Sequence, residues 1–260
     1  MKTIIPCFIS LFLLTYIPLL AQKKEKGKEF IHLSEGLSSN STPIRVKFGK
    51  IITKPNMSAG PYTIVNAIDK WQKEKYKSNF WGTRSSVEVQ DDFSFIVKNE
   101  KGESCLIEYL KKISSKEKSE FRIGMFYFGE NQLIDYEASI SILSYLEDDE
   151  DPWLYLDANG LDQNGNLINQ RRISSKEKVL EVRETNSNLA GGRQREFPAF
   201  GYEIFKENEG IAAIQFNGPG MMGLNQYQIW LRNDLKESAK LKVTGIFMAL
   251  IHHSLKNTIY

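Results

Sequence analysis

Two basic doublets are the sequence's clearest candidates for chemistry. Lys111-Lys112 opens KKISSKEK (111–118) and Arg171-Arg172 opens the near-identical RRISSKEK (171–178). Neighbouring cations suit phosphate-bearing surfaces, each contributing ~1 kcal/mol beside anionic headgroups. Each octet follows a strand, a glycine-containing turn and a second strand. The echo therefore reads either as a duplicated unit, with the doublets at equivalent strand ends, or as a coincidence between polar loops. Ordinary surface charge is the competing reading of all four side chains.

Other chemistries fail on context. Gly218 to Gly223 matches G-x-G-x-x-G, but Tyr227-Gln228-Ile229-Trp230-Leu231 follows as a strand, not as a helix presenting its N-terminus to a pyrophosphate. Counted from Asp162 as a calcium loop, position six is Leu167 instead of Gly and position twelve is Ile173 instead of Glu. Glu147 to Asp151 is an acidic run, read as a solvated loop or, less simply, as a cation or basic-partner contact. His252 and His253 are adjacent, so a helix sends them to different sides, and the i, i+4 pair of a helical zinc site is missing. Cys105 lies among apolar residues with no histidine nearby in sequence, and reads as a small buried hydrophobe. No catalytic residue, metal ligand or cofactor motif is assigned. A carboxylate pair for glycoside hydrolysis could be drawn from any of 32 acids, and sequence cannot choose one.

The elements that would position these groups are mostly strands. Residues 1–21 have a positive start at Lys2, an apolar stretch from Ile4 to Leu20 and a small residue, Ala21, at the cleavage point. This layout predicts a cleaved export signal and a periplasmic or extracellular protein. Cys7 lies inside the apolar stretch, not after the cleavage point, so a lipid anchor is not expected. Residues 22–42 are polar and Lys/Ser-rich, and read as a flexible lead-in to a single domain over 43–260. Ile64, Val65, Ile68 and Trp71 share a helical face after Pro61, predicting an amphipathic helix near 61–76. Beyond it the period becomes two. Short strands follow, punctuated by Asn-Gly and similar turns, for an expected total of about twelve.

The end of the chain is the most informative. Asn233 caps a helix expected from about Leu235 to Leu255. Gly245-Ile246-Phe247-Met248-Ala249-Leu250-Ile251 carries no polar side chain. Seven residues at ~100° each encircle the helix, so this stretch must be surrounded on every side. It is too short to span a bilayer. The expected fold is a mainly β, closed antiparallel barrel of about twelve strands around a buried C-terminal helix.

Short antiparallel strands followed by a near-terminal apolar helix resemble the tubby-like superfamily. That group includes phospholipid scramblase-like and LURP-one-related proteins, whose barrels enclose such a helix. The local match is best over Gly201-Tyr202-Glu203-Ile204-Phe205, Gly210-Ile211-Ala212, Tyr227 to Leu231 and the apolar helix. The resemblance implies binding of phosphoinositides or other membrane lipids. No lipid-contacting position of the family is carried over to this chain.

Charge supports the same reading. Lys plus Arg number 34 and Asp plus Glu 32, a balance that argues against a nucleic-acid partner. The expected function is an exported, non-enzymatic binding or structural module of the cell envelope, taking a lipid or other hydrophobic ligand. Lys111, Lys112, Arg171 and Arg172 would contact an anionic lipid or membrane surface. The alternative is a secreted, carbohydrate-active hydrolase.

Overall fold

The computed structural model describes residues 30–49, 55–69, 72–78, 84–118, 121–123, 126–128, 132–147, 149–161, 166–190, 194–218 and 227–259. The expected export signal (1–21), Trp71, Asp162 to Gly165 and most of the glycine-rich match (219–223) lie outside them.

Among the described residues, fifteen strands and two α-helices follow one another along the chain. They are α1 (Glu35–Ser39), β1 (Ile44–Phe48), β2 (Met57–Ala59), β3 (Tyr62–Asp69), β4 (Lys73–Ser78), β5 (Arg84–Lys98), β6 (Ser104–Lys118), β7 (Phe121–Ile123), β8 (Phe126–Phe128) and β9 (Gln132–Leu146). Then come β10 (Trp153–Leu161), β11 (Leu167–Ser174), β12 (Val179–Asn186), β13 (Phe200–Lys206), β14 (Glu209–Asn217), β15 (Gln228–Leu231) and α2 (Glu237–Ile259). A 3-10 turn, Ser187–Ala190, separates β12 from β13.

Twelve strands close into an antiparallel barrel, in the order β3-β2-β1-β15-β14-β13-β12-β11-β10-β9-β6-β5, with β5 returning to β3. The strand β4 continues the β3 edge along the other half of β5. Thr63 to Asp69 pair with Lys98 to Phe93, and Lys73 to Ser78 pair with Gln90 to Ser85. The walls differ in height. β5, β6 and β9 are each 15 residues long, roughly 50 Å at ~3.3 Å per residue, whereas β15 has four. The tall strands project beyond the barrel end from which α2 emerges.

The interior is filled as the apolar run requires. Leu241 to His252 are buried without interruption, and α2 touches β5, β6, β9, β14 and β15. One ring of the lining reads Tyr109, Ile142, Tyr155, Ile173 and Leu180 across five neighbouring strands, each at most 2% exposed. Gly245 packs against Ile107 and Val97 of the wall. A Cβ there would stand 2.2 Å from Ile107 Cδ1. Among the described residues no helix is long and apolar enough to cross a membrane.

Two expectations are corrected. The helix near 61–76 is absent: this segment forms β3 and β4. The β-branched run Thr63-Ile64-Val65 favours a pleated strand, and β3 is needed to close the barrel on β5. Tyr62 and Ile64 face the core while Thr63 faces out, a period of two. The only other α-helix among the described residues is α1. The lead-in read as flexible over 22–42 is, from Phe30 on, packed against the outside of the barrel. Ile31 and Leu37 bury against Ala199, Ala213 and Trp230, and the His32 N–H donates to Asn186 O at 3.1 Å. The Glu203 carboxylate accepts from Ser34 N and Ser34 Oγ beneath this strap.

Candidate functional site

The two basic doublets are divided by the pleat. Both lie inside strands, where neighbouring residues point to opposite faces, so each doublet contributes one side chain to each face of the wall. Residues 111–118 lie within β6, whereas 171–178 cross the end of β11 and the turn into β12. The two octets are therefore not structurally equivalent.

Lys111 and Arg171 face inward, in the row Lys111, Ile140, Asp157 and Arg171. The Arg171 side chain is only 11% exposed. Its Nε donates to Asp157 Oδ2 at 2.8 Å, its Nη1 donates to Glu184 Oε1 at 2.9 Å, and its guanidinium lies 4.3 Å from the Tyr202 ring centroid. Lys111 Nζ reaches Asn257 Oδ1 on α2 at 3.3 Å.

Lys112 and Arg172 face outward and are exposed. They belong to one continuous outer wall with two zones. The first is apolar. Leu106 and Tyr145 are opposite one another, as are Leu143 and Leu154, with Leu110 and Leu156 in the row below. Leu154 is 39% exposed and Val179, further along its row, 65%. These strands are thus apolar on both faces, although α2 covers only the inner one.

The second zone is basic. Lys73, Gln90 and Lys112 form a cross-strand row, with the two lysine Cα atoms about 10 Å apart over two strand spacings. The β4 sequence Lys-Glu-Lys-Tyr-Lys puts Lys75 and Lys77 on the same face. None of Lys73, Lys75, Lys77, Lys112 and Arg172 has an ion-pair or hydrogen-bond partner among the described residues. Lys116, in contrast, is paired with Asp135 at 2.8 Å. Glu88 and Glu137 interrupt the row that contains Lys75, and Glu108 lies in the Leu143 row.

The remaining titratable residues serve the threaded helix. Near its start, Lys242 Nζ lies 2.6 Å from Asp149 Oδ2 and donates to Asp151 O at 2.8 Å. This places part of the acidic run in a buried ion pair. Burial opposes the Asp149 charge, but Lys242 and the N–H groups of Asp151 and Leu146 outweigh it and hold the carboxyl below its ordinary value. Near the end of α2, Lys256 Nζ sits 3.0 Å from both Asp69 Oδ1 and Asp91 Oδ1. His253 Nδ1 is 2.6 Å from Tyr109 Oη, and burial, helped by Lys111, pushes the imidazole down to about 4. Cys105 is fully buried, 3.1 Å from Ser144 Oγ, and burial pushes its thiol up to about 11. That is the inert, packed thiol its apolar surroundings predicted. Among the described residues no cluster of His, Cys, Asp and Glu could hold a metal ion.

Sequence reasoning missed Lys73, Lys75 and Lys77, because a helix was expected there. The alternation of lysine at 73, 75 and 77 was the available signal for a strand with one basic face. No family model, curated protein or solved structure matches the chain.

Proposed function

We propose that this chain is an exported, non-enzymatic binding module of the cell envelope that meets an anionic lipid surface with its outer wall. The observation that carries this reading is the juxtaposition on that wall. Half-buried Leu156 lies opposite Arg172 and half-buried Leu110 lies two residues from Lys112 on the same face, with Leu143, Leu106 and Tyr145 further along it, while the charges of Lys73, Lys112 and Arg172 have no partner among the described residues. The barrel interior is occupied by α2, so the outer wall is where apolar side chains can still gain by burial. Such side chains contribute about 25 cal/mol for each Å² removed from water. The lysines would contact headgroup phosphates, and salt would weaken the contact. The tubby-like resemblance points to the same ligand class.

The hydrolase alternative gains little support. Among the described residues, Asp69 and Asp91 share the Lys256 ammonium and Asp157 and Glu184 share the Arg171 guanidinium, instead of facing one another as a free pair. The raised Glu203 carboxyl is explained by burial beneath the N-terminal strap.

The test is co-sedimentation of the mature chain with phosphatidylcholine vesicles, with and without phosphatidylserine. Binding is expected only to the anionic vesicles. Lys73→Glu/Lys112→Glu/Arg172→Glu should reduce it by on the order of a hundredfold, at ~1 kcal/mol or more per charge. Equal binding to both vesicles, or by native and variant protein, would remove the reading.

A further inference from the structure

The tall wall outruns the helix that fills the barrel. Among the described residues, the last polar contacts of α2 with this wall are Lys256 to Asp91 and Asn257 to Lys111. They fall on one cross-strand row. From Asn257, α2 runs only to Ile259, ~3 Å further at ~1.5 Å per residue. From Lys111, β6 runs on to Lys118, ~23 Å further at ~3.3 Å per residue.

The two faces of this projecting stretch differ. On the outer face, from the row of Lys112 to that of Lys116, every residue of β4, β5, β6 and β9 is polar. The inner face is apolar over the same length. Val89, Ile113 and Ala138 form one row, with Glu74 at its edge. Tyr76, Val87 and Tyr136 form the next, with Ser115 among them. Tyr76 is 63% exposed and the other five apolar residues are half-buried. A strand solvated on both faces has no need of such alternation, which belongs to a face that is covered.

Three cations stand at the foot of this face. Lys256 is shared by Asp69 and Asp91, and Arg171 by Asp157 and Glu184. Lys111 has no acidic partner among the described residues, and its Nζ donates to Asn257 Oδ1 at 3.3 Å.

We propose that the inner face of the projecting wall binds one fatty acid, its carboxylate on Lys111 and its chain running outward over Ile113 toward Tyr136. The unneutralised ammonium calls for a single anion, and the apolar rows beyond it call for a chain. The wall is long enough for one, since the chains of one bilayer leaflet span ~15 Å. Burial of the chain and of the rows beneath it drives the contact. This site lies on the opposite face from the outer-wall contact and does not rest on it. Were Lys111 there only to complement the carbonyl end of α2, it would be indifferent to the charge of the ligand.

Calorimetric titration of the mature chain with laurate, without vesicles, tests the site, with dodecanol as the uncharged counterpart. One laurate should bind per chain. Lys111→Gln should weaken laurate about fivefold and leave dodecanol unchanged. Ile113→Ser should weaken both by about tenfold or more. In the native protein, a nitroxide-labelled stearate should broaden the methyl signals of Val87, Val89 and Ile113 and spare those of Leu106 and Leu143 on the outer face. Absence of laurate binding, equal loss of laurate and dodecanol in Lys111→Gln, or broadening of the outer leucines alone would overturn the proposal. A dimer in sedimentation that Ile113→Ser dissociates would overturn it too, by giving the face to a second copy.

Discussion

The inner and outer faces of the tall wall are built from the same strands and put the same residue types to different use. Arg171 points inward and is held by Asp157, Glu184 and the Tyr202 ring; Arg172 points outward and meets no partner among the described residues. Lys111 reaches the end of α2, while Lys112 stands beside Gln90 in the same cross-strand row as Lys73. Inside, a charge must be compensated, because desolvation is costly. Outside, water stabilises it, and it stays available. Adjacent residues in a strand are therefore poor guides to one another's function.

Breaking the inner face should have the largest effect. Arg171→Met strands Asp157, whose Oδ1 already has no partner, and should cost about 3–5 kcal/mol in chemical denaturation. Lys242→Met should cost a similar amount by stranding Asp149. An unchanged denaturation midpoint for either would mean that the inner pairs do not hold the fold.

Gly245→Ala is next. The added methyl meets Ile107 and should cost ~1–3 kcal/mol through overpacking, although alanine is the better helix former by up to ~1 kcal/mol. A stabilised variant would show that the wall yields to the helix.

Acid should sharpen the comparison further. His253, pushed down to about 4 by burial, leaves the folded state fully favoured above about 6.5. Stability is then lost as pH falls from about 6.5 to about 4, by up to ~1.4 kcal/mol per pH unit. His253→Gln should reduce that slope in pH-dependent denaturation. The smallest effect on stability belongs to the outer face: Lys112→Gln should stay within ~0.5 kcal/mol of the native chain.

What the sequence disclosed follows from burial. A run apolar all round, Gly245 to Ile251, has one economical solution among strands, and the barrel around α2 supplies it. The predicted helix, Leu235 to Leu255, differs from Glu237–Ile259 by two residues at its start and four at its end. The tall wall was less legible. Lys112, Ser114 and Lys116 alternate with Ile113 and Ser115, so β6 has little apolar contrast beyond Leu110, and the strand was expected to stop there. At 61–76, spacing alone permitted a helix, and only the β-branched residues and the need for a closing strand decide against it. The outer face was legible in Lys112 and Arg172 but not in their separation from Lys111 and Arg171. That separation needs the register.

The most direct measurement compares Arg171→Gln with Arg172→Gln, reading melting temperature and binding to anionic vesicles for each. Arg171→Gln should lower the melting temperature by roughly 10 °C, at about 2–4 °C per kcal/mol for a domain of this size, and leave vesicle affinity of the folded protein unchanged. Arg172→Gln should leave the melting temperature unchanged and weaken vesicle binding about fivefold. If both variants moved the same property, or exchanged effects, the division of work between the two faces would be contradicted.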